Sequence, residues 1–166
     1  MAIVSHAPHP VVFERERGVY RVDVKHDLAH AVVKLGADHQ RAGQILSVLR
    51  ALASEQIPIF LIKMHRSAVT FAMEGGQVPD AKSCLQRAGF ECSTRTGLAL
   101  LVVVASSMRD LTGVMVDIAD SLQQAGARLY GTGDSHNSVQ CLIDGGHAER
   151  AVAQLNRTFG LEGGDG

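Results

Sequence analysis

Eight histidines and three cysteines are the residues of this 166-residue chain with the chemistry to hold a metal or attack a carbon centre. His6 and His9 are three apart and His26 and His30 four apart, the separations at which two imidazoles can share an ion on a helix. Neither pair lies in a helical pattern. The first falls in a proline-bearing N-terminal segment and the second flanks a strand boundary, and no Cys-x-x-Cys or His-x-x-x-His on a predicted helix accompanies them. His147 begins the last helical pattern, where it reads as a neutral cap. Ser106-Ser107 and Ser135-His136 lack a third, orienting partner at a recognisable spacing, so turn and cap roles outweigh nucleophilic catalysis. Gly75-Gly76 and Gly131-x-Gly133 do not lead from a strand into a helix with phosphate-loop or dinucleotide-binding spacing, and read as turns. Cys84, Cys92 and Cys141 are odd in number with no close pair, which suits free thiols in a reducing cytoplasm better than a disulfide framework. The expectation is a protein that is not an enzyme and that needs no metal or other cofactor.

Composition narrows the partners. Sixteen Lys and Arg face seventeen Asp and Glu, a net charge of −1, so the basic footprint that drives nucleic-acid binding is missing. The longest apolar run, Leu98 to Ala105, has the length of a strand and falls well short of the roughly 18 residues of a membrane span. It is also apolar on alternate and intervening positions alike, so the strand should be covered on both faces, against another sheet within the chain or in a homodimer.

What must position any site is a duplication. An offset of 70 residues, without gaps, aligns Ala29 with Ala99, Val32-Val33 with Val102-Val103, Gly43 with Gly113, Leu52 with Leu122, Gly75-Gly76 with Gly145-Gly146, Ala81 with Ala151, Leu85 with Leu155 and Arg87 with Arg157. That period is too long for a solenoid and describes two copies of a small domain. In the first copy Tyr20 to Lys25 alternates as a half-buried strand and Ala29 to Leu35 is a second one. Ala42 to Ser54 has the apolar stripe of a helix, Ile57–Met64 and Ser67–Met73 a hairpin turning at His65-Arg66, and Pro79 to Ala88 a second helix ended by Gly89. The second copy repeats the order: strands Phe90–Arg95 and Leu98–Ala105, a helix over Val114–Ala125 with Thr112 placed to cap it, strands Ala127–Thr132 and Asn137–Ile143, and a helix over His147–Phe159. Each copy spells β-α-β-β-α and lacks one strand of a ferredoxin-like α/β sandwich. The strand at 90–95 can complete the first copy. Nothing follows the second, so the N-terminal strand is expected to cross over and close it, sparing an open edge. The organisation expected is a flexible arm at 1–18, a strand at 19–26 completing the second domain, a first domain at 27–96, a second at 97–161 and a flexible tail at 162–166.

Met108-Arg109 leading to Thr112-Gly113, then Ala119, Leu122, Ala125-Gly126-Ala127, Ser138 to Ile143, Glu149-Arg150-Ala151-Val152 and Phe159-Gly160-Leu161 resemble the C-terminal regulatory half of aspartokinase, a tandem pair of ACT domains. The resemblance covers about residues 20–161 and is strongest over the second copy; no kinase domain accompanies it. It implies two tandem βαββαβ domains in an α/β (α+β, ferredoxin-like) fold, acting as a stand-alone amino-acid-sensing regulatory protein. It further implies pairing into a homodimer and coupling to a catalytic subunit of amino-acid metabolism. In such a pair an amino acid sits between the loop after the first strand of one domain and the second strand of its neighbour. Carried over, one site takes Gln40, Ala42, Gly43, Ile45 and Met64 with Arg128 and Leu129; its twin takes Asp110, Thr112, Gly113 and Met115 with Pro58 and Ile59. The chain departs from the family's pattern at Gln40, where an acidic residue is usual, at Arg128, where Asn is usual, and at Met64, where Gln is usual. The inheritance is therefore an amino-acid or small-carboxylate effector of open identity. The competing expectation is an ACT-type interaction module that has lost its ligand.

Overall fold

In a computed structural model that describes residues 18–36, 38–108 and 111–161, the duplicated pattern becomes six strands and four helices. They follow as β1 (Val19–Lys34), α1 (Arg41–Ser54), β2 (Phe60–Met64), β3 (Ala68–Glu74), α2 (Val78–Arg87), β4 (Cys92–Ala105), α3 (Leu111–Ala125), β5 (Leu129–Asp134), β6 (Ser138–Asp144) and α4 (Ala148–Thr158). The expected arm and tail lie, apart from Gly18, outside the described residues. Gly89, Gly126 and Gly160 end their helices with φ of 86°, 72° and 65°, the left-handed conformation that closes a last turn.

All strand pairs are antiparallel and form one sheet in the order β2-β3-β1-β4-β6-β5. The two central strands are long because each serves both copies. The C-terminal part of β1 pairs with β3, Leu28 opposite Glu74 through Lys34 opposite Ala68. Its N-terminal part pairs with the second copy's central strand, Val22 opposite Val103 and Val24 opposite Leu101. Reciprocally, Cys92 and Thr94 of β4 pair with Val33 and Ala31, while Leu98 to Val104 pair with β6. The N-terminal strand thus crosses to the second copy as the missing edge requires, and α4 packs on it.

Two separations expected from the sequence do not exist. Tyr20–Lys25 and Ala29–Leu35 are one strand, and so are Phe90–Arg95 and Leu98–Ala105. The polar pairs His26-Asp27 and Thr96-Gly97 look like breaks but are bulges, with Asp27 at φ 58° and Gly97 at φ 71° and a register shift between Lys25 and Leu28. A bulge bends a strand without ending its ladder. The helix of the second copy starts at Leu111, so Thr112 lies within its first turn instead of capping it.

Alternation along the long strands sends side chains to two different cores. Ala29, Ala31 and Val33 join Val48, Leu52, Phe71 and Leu85 under α1 and α2; Ala99, Leu101 and Val103 join Ile118, Leu122, Ile143 and Leu155 under α3 and α4. The intervening positions build a third core on the opposite face, where Leu28, Ala72, Leu98, Leu100 and Leu142 are buried with Phe60, Leu61, Val102 and Tyr130 packed against them. The outermost strands of the sheet, β2 and β5, touch each other. A Cβ placed on Gly133 of β5 would lie 2.6 Å from a Leu61 methyl of β2. The sheet therefore folds back at the bulges so that its halves meet face to face, which accounts for the two-sided apolarity of Leu98–Ala105 within a single chain.

Candidate functional site

A short 3-10 turn, Asp38–Gln40, leads into α1, and Gln40 occupies the N-cap position without a side-chain bond to the helix. No acidic residue stands in the first turn either. The first backbone N–H groups of α1 thus have no side-chain cap, and a helix N-terminus of that kind attracts carboxylates. Gln40, Ala42 and Gly43 are exposed, and the space a Cβ would fill at Gly43 is open. Ile45 is half-buried against the first core. Gln44 anchors the approach, its Oε1 accepting from the Gly36 N–H at 2.8 Å. Between Gln40 and Ala42 lies a residue that the sequence did not single out. The Nε of Arg41 is buried and has no hydrogen-bond partner among the described residues. Burial of one guanidinium nitrogen is a property of the folded loop and leaves no trace in spacing or composition.

The equivalent loop of the second copy is described only from Leu111, so Asp110 lies outside the described residues. Thr112 is exposed, Gly113 and Met115 are half-buried, and Met115 packs on the second core. The strand segments assigned to the other side of each site flank the edges of the sheet. Pro58 is exposed and Ile59 half-buried just before β2, while Met64 ends β2 at 57% exposure. Arg128 precedes β5 and Leu129 opens it, 46% exposed. Among the described residues no hydrogen bond or ion pair joins Gln40, Ala42, Gly43, Ile45 or Met64 to Arg128 or Leu129, nor Thr112 or Met115 to Pro58 or Ile59.

Arg128 is held from both sides. Its N–H donates to Asp144 Oδ1 at 2.6 Å, and its guanidinium carbon lies 5.4 Å from the centre of the Tyr130 ring. The other oxygen of Asp144 meets His147 Nδ1. Burial opposes ionisation of Asp144, but the Arg128 N–H and His147 outweigh it and hold the carboxyl below its usual range. His147 therefore engages a carboxylate and makes no side-chain bond to the backbone of α4, in place of the neutral cap read from its position. His26 is exposed and His30 half-buried, and no group of three His, Cys, Asp or Glu assembles for a metal among the described residues. No helix among them is long and apolar enough to cross a membrane.

No protein-family model matches the sequence, and comparison with curated proteins by sequence returns no relative. Comparison of folds does. The ligand-free regulatory subunit of aspartate kinase from Thermus thermophilus superposes with a TM-score of 0.77 at 20% identity, covering 86% of this chain and 99% of that one. A structure of aspartokinase alpha and beta subunits gives 0.77 at 21% identity over 87% of this chain and 100% of the matched one. Escherichia coli aspartokinase III in complex with lysine and aspartate gives 0.69 at 20% identity, covering 88% of this chain but 34% of that longer one. The chain has the tandem ACT-type fold of aspartate kinase regulatory subunits.

Proposed function

We propose that this chain is a non-catalytic regulatory protein whose loops at the N-termini of α1 and α3 bind an amino acid or a small carboxylate. Occupancy would be passed to a homodimeric partner or to a catalytic subunit. The observation that carries the reading is Gly43. It sits within the first turn of an α-helix, where glycine costs about 0.5 kcal/mol or more relative to alanine, yet a Cβ there would meet nothing within 4 Å. Packing does not ask for a glycine, whereas a carboxylate approaching the uncapped N–H groups does. The buried, unpartnered Arg41 Nε beside it supports the same ligand chemistry. Two chains side by side would supply the strand segments, Arg128-Leu129 for the first loop and Pro58-Ile59 for the second. Leu46 and Val116, equivalent under the 70-residue offset and 47% and 55% exposed, offer apolar surface for that pairing. The neighbours in fold include a complex of aspartokinase with lysine and aspartate and an assembly of alpha and beta subunits, in keeping with an effector and a catalytic partner.

The test is a thermal-shift panel of the amino acids and small carboxylates on the wild type and on Gly43→Ala. A true effector at a hundred times its dissociation constant adds about 2.7 kcal/mol. The expected outcome is one ligand that stabilises the wild type, and a Gly43→Ala variant that is slightly more stable without ligand but responds less. A flat panel at millimolar concentrations would instead assign the chain to a ligand-free pairing module, with co-purification of a catalytic subunit as its readout.

A further inference from the structure

The half-sheets do not meet through apolar side chains alone. Beside Leu142 a cavity of about 250 Å³ is lined by Leu61, Lys63, His65, Thr70 and Tyr130 among others, and a second of about 260 Å³ by Val32, Ser93, Thr94 and Arg95; His30 lines both. Sheet register assembles the set, with His30 directly opposite Arg95 on β1 and β4 and Lys63 opposite Thr70 on β2 and β3. His65 Nε2 lies 3.2 Å from the Thr70 hydroxyl, and the Arg95 guanidinium carbon 5.3 Å from the centre of the Tyr130 ring.

Charge here is segregated. Among the described residues no carboxylate lines either cavity, although acidic residues outnumber basic ones in the chain. Lys25, Lys34 and Arg87 are paired with Glu74, Glu91 and Glu55. Lys63 and Arg95 have no carboxylate within ion-pair distance among the described residues. Both are exposed, so neither the interior nor an ion pair holds them there, and an anion reaching the cleft would meet two cations. Nor does packing demand them. Under the 70-residue offset His30 corresponds to Leu100, a buried member of the third core, and Lys63 to Gly133. The second copy fills these places without charge. The imidazole and the lysine are thus peculiar to one side of the duplicated fold, while Arg95 has a charged counterpart in Lys25, which unlike it is paired with a carboxylate, that of Glu74.

We propose that this inter-sheet cleft binds a small oxyanion, a metabolite with a carboxylate or phosphate head, held by Lys63, Arg95 and His30 against the Tyr130 ring. Each of the two cavities that meet at His30 is smaller than the roughly 300–1,000 Å³ of sites for drug-sized ligands, which limits the occupant to a few heavy atoms. The site is separate from the α1 and α3 loops and stands whether or not those loops bind an effector.

Inorganic phosphate and succinate, titrated separately at constant ionic strength with chloride as the balancing salt, test it by calorimetry and thermal shift. Saturable binding of at least one is expected, and which one responds identifies the head group. Lys63→Gln, at an exposed position whose variant should fold, and Arg95→Gln should each weaken binding by about tenfold, the worth of one charge-assisted hydrogen bond. His30→Leu, which copies the second half, should weaken binding while preserving the fold, and Gly43→Ala should leave it unchanged. Shifts no larger than those from chloride, or binding undiminished in both Lys63→Gln and Arg95→Gln, would overturn the proposal.

Discussion

Gly145 lies against the carbonyl of Gly97 so closely that a Cβ on Gly145 would stand 2.6 Å from that oxygen. Seventy residues earlier the same contact recurs, a Cβ on Gly75 falling 2.8 Å from the carbonyl oxygen of Asp27. Both carbonyls belong to the bulged, positive-φ residues at which the long strands bend. Gly145→Ala and Gly75→Ala should therefore each destabilise the fold by about 1–3 kcal/mol, since backbone on both sides must give way. Gly146→Ala, where a Cβ would meet nothing, is the matched control. Urea denaturation of the three variants decides it: equal losses at 145 and 146 would contradict the close approach.

Removing residues 1–26 takes away the strand that pairs with Leu100 to Ala105. The second half would then expose an open edge and lose the Val19 and Val22 side chains packed on its core. Loss of protection of the β4 amides in hydrogen exchange, with aggregation at micromolar concentration, is the expected result. Unchanged protection would show that the crossover strand is dispensable.

Two groups set the acid response. Burial, and then the neighbouring His65, lower the pKa of His30 from its ordinary 6.5. The unfolded chain thus binds the extra proton more readily, and stability declines as pH falls from about 6.5 towards the folded value. Of the groups around this imidazole, His65 opposes its protonation; Lys63 and Tyr130 line the same cavity and Arg95 stands opposite it in the sheet. Asp144 acts lower down. Its folded pKa lies beneath the ordinary 3.8, so its contribution is complete above that value and is lost as pH drops through the folded one. Denaturation midpoints from pH 8 to pH 3 should show both declines, with His30→Leu removing the first and Asp144→Asn the second. A His30→Leu profile parallel to the wild type would refute the assignment.

The thiols should differ in reactivity despite a common direction of shift. Burial pushes Cys141 up to about 11, and it is 1% exposed. Burial and Glu55 raise Cys84, which Arg87 offsets in part, and burial raises Cys92, which remains half-buried. At pH 8 a thiol reagent should label Cys92 alone in the native protein and all three cysteines after unfolding. Mass spectrometry of the labelled peptides checks this, and native labelling of Cys141 would contradict its burial.

The duplication was legible because the positions that repeat carry backbone demands. Gly75 and Gly145 are alike in sequence since each must clear a carbonyl, and the helix-ending glycines mark where the chain turns. The need for a crossing N-terminal strand followed from counting strands against sheet edges. The continuity of β1 and β4 did not follow, because His26-Asp27 and Thr96-Gly97 have the polarity of a loop and only the sheet ladder shows that they are bulges. The loop glycine at position 43 could be singled out, whereas Arg41 could not, being distinguished by burial of one nitrogen. His30, Lys63 and Arg95 lie far apart in the chain and meet only when the sheet folds back on itself.

The pairing of β1 with β4 has a symmetry of its own. Val24 opposite Leu101 becomes, when each residue is exchanged for its counterpart seventy positions away, Ala31 opposite Thr94, and Val22 opposite Val103 becomes Val33 opposite Cys92; all four pairs are present. A pseudo-twofold axis therefore passes between the two bulges. A molecule carrying one copy has the strands to build this sheet with a second molecule, each lending its long strand to the other. In that sense the chain is an intertwined dimer written as one polypeptide. Its linkage frees the two halves to diverge, so that a histidine and a lysine can stand on one side of the axis where the other side keeps leucine and glycine.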